Sequence, residues 1–133
     1  MRSLVVDDEY VSRYRLKKIF SMYGDCDVAP NGEIALKMFE WAHGESVPYD
    51  LISMDVEMPG MKGPEVVTKL REWENVNLPK EKGARVKILM ISMAYDGNRV
   101  ASSFAGGCDE YMTKFITVDN LKSIMQELGL VKL

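Results

Sequence analysis

A chain of 133 residues has the length of a single domain, and folding at that size buries roughly two-thirds of the unfolded surface, enough for a core without staples. A net charge of −3, with 47% apolar and 28% charged residues, describes an ordinary globular protein and leaves no basic footprint for nucleic acid. No apolar run approaches the ~20 residues that cross a bilayer.

Met1-Arg2-Ser3 passes directly into strand pattern, which leaves no room for a signal peptide. Cys26 and Cys108 are isolated thiols without metal-ligand spacing, so the expected setting is the reducing cytoplasm. A first strand is predicted over about residues 2–6 and a helix over about 9–22, with Val11, Tyr14, Lys18, Ile19 and Met22 on its repeat and Gly24 as its stop. A short strand near Cys26-Asp27-Val28 leads into the turn Pro30-Asn31-Gly32. Asn31 can cap a second helix, about 32–43, whose Ile34, Ala35, Met38 and Trp41 share a face.

Leu51 to Met54 is a continuous apolar strand, as expected where helices cover both faces. After the tight loop 58–63, a third helix is predicted over 64–74, opened by Pro64, and a polar loop over 75–85. Strand four is predicted over 86–91, helix four over 96–105, strand five over 108–112 and helix five over 118–128, with Gly129 as its cap. The fivefold alternation argues for an α/β fold with a parallel sheet. Lys-rich and Arg-rich stretches, such as Arg15, Lys17 and Lys18, read as solvated faces. The expectation is one domain over residues 1–133, with no output domain.

Chemistry gathers at the strand ends. Asp7 and Asp8 close strand one, Asp55 closes strand three, Ser92 closes strand four and Lys114 follows strand five. In a parallel sheet the carboxyl ends of the strands face one crevice, so these groups converge. Three carboxylates without a counter-charge repel one another, and a hard divalent cation removes that cost. Mg²⁺, held by one or two carboxylates with waters and phosphate oxygens, suits the set. Carboxylates can also act as nucleophiles toward phosphorus, and a metal with Lys114 would spread the charge of a phosphoryl group in transfer. Taken singly, Asp-Asp could be helix capping, Ser92 a strand-end hydroxyl and Lys114 a solvated cation. Together they point to phosphoryl chemistry.

The segments Val5-Val6-Asp7-Asp8-Glu9, Met54-Asp55-Val56-Glu57-Met58-Pro59-Gly60-Met61-Lys62-Gly63, Ile91-Ser92 and Lys114 resemble the receiver domain of bacterial two-component response regulators, over essentially the whole chain. The resemblance implies a flavodoxin-like, doubly wound (βα)5 fold with strand order 2-1-3-4-5. Asp55 would be the phosphoacceptor. Asp8 and Asp55 would supply side-chain ligands to Mg²⁺, for which Mn²⁺ can stand in, Asp7 would act through a bound water, and Glu57 would lend its backbone carbonyl. Ser92 and Tyr111 fall at switch positions, and Lys114 would pair with phosphoryl oxygens. The donor would be a histidine kinase or a histidine phosphotransfer protein. The switched surface of helix four, strand five and helix five would meet a downstream protein whose identity is not written in the sequence. The chain would be a monomer or weak dimer, would use neither nucleic acid nor membrane, and would not be a turnover enzyme.

Two positions depart from the family pattern. Lys114 is followed by Phe115 where the family has Pro, and a cis bond before a non-proline costs about 2.5–4 kcal/mol. The expectation is a trans bond with Lys114 slightly displaced. Met93 stands where the family favours a small residue, and it or Glu57 could modulate access of water to Asp55. His43 reads as a surface cation near a helix end, and Trp41 and Trp73 as helix-packing residues. Two other functions fit less well. One is a receiver-like adaptor silenced by Phe115. The other is a hydrolase of the haloacid-dehalogenase type, whose nucleophile belongs on strand one.

Overall fold

The computed structural model describes residues 1–80, 85–93 and 95–131. Strands β1 (Ser3–Val6), β2 (Cys26–Ala29), β3 (Leu51–Asp55), β4 (Lys87–Ser92) and β5 (Glu110–Thr113) alternate with helices α1 (Tyr10–Phe20), α2 (Gly32–Gly44), α3 (Gly63–Asn77), α4 (Gly97–Ala105) and α5 (Val118–Glu127). All strand pairs are parallel, and the sheet order is β2-β1-β3-β4-β5. The fold is the flavodoxin-like arrangement expected.

Alternation along the strands divides the interior in two, because successive side chains leave opposite faces of a sheet. Leu4, Val6, Ile52, Met54, Ile88 and Met90 meet Phe39 of α2 and Val66 and Leu70 of α3. Val5, Leu51, Leu89 and Ile91 meet Leu16, Ile19 and Phe20 of α1 and Leu121 and Met125 of α5. The central strands are buried on both faces, which is why they read as apolar runs.

Helix ends follow the predicted chemistry. Asn31 Oδ1 accepts the Ile34 N–H at 2.9 Å, Pro64 lies in the first turn of α3, and Gly129 adopts φ +74° beyond α5. Helix faces match the periodic reading in part. Ile19 and Ala35 are buried as expected, but Val11, Tyr14 and Met22 are exposed, as are Ile34 and Trp41, while Leu16, Phe20, Phe39 and Ala42 carry the packing. Aromatic and aliphatic residues occupy both faces of α1 and α2, so hydrophobicity alone does not select the buried one. Helix α3 runs on to Asn77, past the predicted end at 74, because no Gly or Pro interrupts it before Pro79. Part of the predicted polar loop 75–85 lies outside the described residues.

His43 is half-buried rather than a surface cation. Its ring sits 4.9 Å from those of Phe39 and Trp73, and burial pushes its pKa down despite nearby Glu74.

Candidate functional site

The register of the sheet assembles the site. Val6 pairs with Ala29 and Met54, Asp55 with Ile91, and Ser92 with Thr113. The residues that end or follow these pairs, Asp7, Asp55, Ser92 and Lys114, therefore stand along one edge. Asp7, Asp8 and Asp55 each offer a carboxylate oxygen, all within 4.8 Å of one another.

Asp7 and Asp55 are buried, at 1% and 5% exposure, whereas Asp8 is exposed. Asp7 Oδ1 accepts the Glu9 N–H at 2.9 Å. Helix α1 begins at an N-cap, Glu9, that makes no side-chain capping bond, so capping does not account for Asp8. Asp55 Oδ1 accepts the Glu57 N–H at 3.1 Å. The loop that follows turns through Gly60 at φ +76° and returns to pack Gly63 on the end of β3. A Cβ on Gly63 would lie 2.3 Å from the Asp55 carbonyl oxygen, so only glycine lets α3 start there.

Lys114 supplies the counter-charge. Its Nζ is 3.2 Å from Asp7 Oδ2 and 3.8 Å from Asp55 Oδ2. The peptide bond between Lys114 and Phe115 is cis, which corrects the expected trans bond. Lys114 itself reaches the acidic groups. Its backbone N–H donates to the Ser92 carbonyl at 2.7 Å, and its ammonium is drawn to two buried carboxylates.

The charge balance is incomplete. Burial above all, and then the Asp7 carboxylate, push the Asp55 carboxyl up to about 7, against the opposing pull of the Glu57 N–H and Lys114. Burial alone would push Lys114 down, but Asp55 and Asp7 hold it above its ordinary value. Asp7 Oδ2 is buried without a well-formed hydrogen bond, although the ammonium lies near it. A hard divalent cation fits this donor set: three carboxylate oxygens at mutual reach, one short of a partner, and one residue open to water.

Ser92 is fully buried, and its Oγ donates to Glu57 Oε1 at 3.0 Å. The same Glu57 oxygen accepts from Arg99 Nη1 of α4 at 2.7 Å. Arg99 was not among the residues singled out from the sequence. It lies 42 positions from Glu57, on a helix where an arginine looks merely solvated. Tyr111 is half-buried, packs against the α2–α3 side of the core, and buries its hydroxyl without a hydrogen-bond partner among the described residues. Met93 is 59% exposed.

A family model described as the response regulator receiver domain matches residues 3–126. The chain belongs to that family. It is 30% identical to the nitrate/nitrite response regulator protein NarL of Escherichia coli over 127 residues, 93% of this chain and 52% of NarL. The receiver thus spans about half the length of that relative. It is 28% identical to the two-component response regulator ORR41 of Oryza sativa, over 98% of this chain and 95% of that protein. The crystal structure of the receiver domain of the Arabidopsis thaliana histidine kinase CKI1, complexed with Mg²⁺ and BeF₃⁻, superposes with a TM-score of 0.81 at 24% identity, over 96% of this chain and 89% of that one. That likeness is one of fold. Receivers are signalling domains of two-component systems rather than turnover enzymes, and they work with histidine kinases or phosphotransfer proteins.

Proposed function

We propose that this receiver is a phosphoacceptor of a two-component phosphorelay, with Asp55 as the modified residue. The observation that carries the reading is the meeting of Asp7, Asp8 and Asp55 oxygens within 4.8 Å, with Lys114 Nζ beside two of them. An Asp55 carboxylate oxygen attacks the phosphorus of a phosphohistidine on a kinase or phosphotransfer protein. The P–N bond breaks, its electron pair goes to the imidazole, and the imidazole takes up a proton as it leaves.

Asp8, Asp55 and, through a water, Asp7 would hold Mg²⁺ or Mn²⁺, with the Glu57 carbonyl completing the set. Bound there, the cation supplies neutralising charge for the transferred group. Lys114 would pair with phosphoryl oxygens on Asp55. Phosphate on Asp55 then competes for Ser92 and biases the surface of α4, β5 and α5, where Tyr111 lies, toward a downstream protein. The reading includes action without an attached output domain, which the match over most of ORR41 supports.

Intact mass after incubation with Mg²⁺ and acetyl phosphate or phosphoramidate tests this. The expected result is one phosphoryl adduct that requires Mg²⁺ and is absent from Asp55→Asn. No adduct from either donor would favour the silent adaptor.

A further inference from the structure

The bond between Ser92 and Glu57 has a consequence for how the receiver is held before phosphorylation. A carboxylate oxygen only accepts, so the single proton of the Ser92 hydroxyl is committed to Glu57 Oε1. Ser92 is fully buried, so water does not reach it to relieve that commitment. The hydroxyl cannot donate to Glu57 and to a phosphoryl oxygen on Asp55 at once. The same Oε1 is gripped by Arg99, and the first turn of α4 that carries Arg99 is itself fixed by Asp96, whose Oδ1 accepts the Asn98 and Arg99 N–H groups. Helix α4 has little else to hold it, since Ser103 is its only buried residue among those described.

We propose that Glu57 is a positioning residue, the centre of an Arg99–Glu57–Ser92 clasp that restrains the Ser92 hydroxyl and α4 in the unmodified state. The proposal rests on the phosphoacceptor reading. When a phosphoryl oxygen accepts the hydrogen bond from the Ser92 hydroxyl instead, Arg99 is the partner left to Glu57 among the described residues. That leaves an ion pair with side chains 42% and 44% exposed, and such surface pairs hold little. Helix α4 is then released from the end of β4.

The clasp is tested by titrating beryllium fluoride, a stable phosphoryl stand-in, with Mg²⁺ into the intact chain by calorimetry, and by amide exchange of residues 97–105 without any ligand. Removing a net hydrogen bond that opposes binding should tighten it by roughly three- to tenfold in Glu57→Ala. Glu57→Gln keeps an acceptor oxygen and should stay within about twofold of wild type. The Glu57→Ala gain should vanish in a Ser92→Ala background, and Arg99→Gln should add nothing once Glu57 is gone. Unliganded Glu57→Ala should exchange faster in α4 and at the wild-type rate in α2.

Glu57→Gln binding as tightly as Glu57→Ala, or a gain that persists without Ser92, would mean plain charge repulsion and overturn the clasp. So would unchanged affinity in Glu57→Ala or unchanged exchange in α4. A wild type that binds no beryllium fluoride at all would overturn the phosphoacceptor reading and the clasp together.

Discussion

Among the described residues, two clusters of buried charge are built on opposite principles. In one, Arg71 donates to Glu74 at 2.7 Å, to Asp109 at 2.8 Å, and to the carbonyls of Gly107 and Val86 at 2.9 and 2.8 Å. The acids are satisfied in turn. Glu74 Oε2 accepts the Val86 N–H at 2.9 Å and Asp109 Oδ2 the Ile88 N–H at 2.8 Å. This network ties α3 to the start of β4 and to the approach to β5, and its acids and guanidinium are matched to one another. In the other, three carboxylates gather with one lysine beside two of them, Asp7 Oδ2 lacks a well-formed bond, and Asp55 is pushed up to about 7. A satisfied cluster stabilises. An unsatisfied one is a site held ready for charge that is not yet there.

The largest effect should come from breaking the satisfied cluster. Glu74→Ala leaves the Arg71 guanidinium under-compensated and the Val86 N–H unpaired in the interior. Breaking one side of a buried pair costs about 3–5 kcal/mol. Urea unfolding should report a loss of that order, and a loss under 1 kcal/mol would mean that the network is idle.

The same operation on the unsatisfied cluster should have the opposite sign. The Asp55 carboxyl holds its proton more tightly when folded than when unfolded, since its folded value is about 7 against an ordinary 3.8. Stability from this group is therefore greatest below pH 4 and declines as pH rises toward 7. Asp55→Asn removes the ionisable group, so it should stabilise by about 1–3 kcal/mol at pH 8 without metal and by little at pH 4.5. A variant that destabilises at pH 8 would show that Lys114 already balances the site.

Mg²⁺ should recover part of the same free energy in the wild type. At tenfold over its dissociation constant a ligand adds about 1.4 kcal/mol. The thermal midpoint should rise with Mg²⁺ at pH 8, rise less at pH 5.5, where Asp55 is protonated, and stay fixed in Asp55→Ala.

The two clusters were not equally legible in the sequence. Asp7, Asp8, Asp55, Ser92 and Lys114 announced themselves because each ends or follows an apolar strand, and strand ends converge by topology. Arg71, Glu74 and Asp109 carried no such signal. They sit on a helix and before a short strand, where charge ordinarily means solvent, and only the packing of α3 on the sheet reveals Glu74 as fully buried. Arg99 escaped for the same reason. The strands and the sheet could be read because burial on both faces leaves a continuous apolar run. The faces of α1 and α2 were legible only in part: Ile19 and Ala35 are buried as their spacing implied, but Tyr14 and Trp41 sit exposed while Leu16 and the smaller Ala42 are buried. The bond after Lys114 was beyond reach, since intrinsic preference before a non-proline favours trans.

The smallest predicted effect is the most discriminating. Asp8 belongs to the acidic set but is exposed, so water already screens it and the folded state gives up little by keeping it. Without metal, Asp8→Asn should move stability by no more than about 0.5 kcal/mol, as surface substitutions do. If Asp8 is a ligand, the same variant should weaken Mg²⁺ binding about tenfold or more, and the metal-induced rise in thermal midpoint at a fixed millimolar concentration should largely disappear. A carboxylate that merely decorates the edge would leave both measurements unchanged. One that merely repels Asp55 would raise stability without metal and leave Mg²⁺ affinity intact. Only a residue whose purpose lies in the ligand, rather than in the fold, is silent until Mg²⁺ is added.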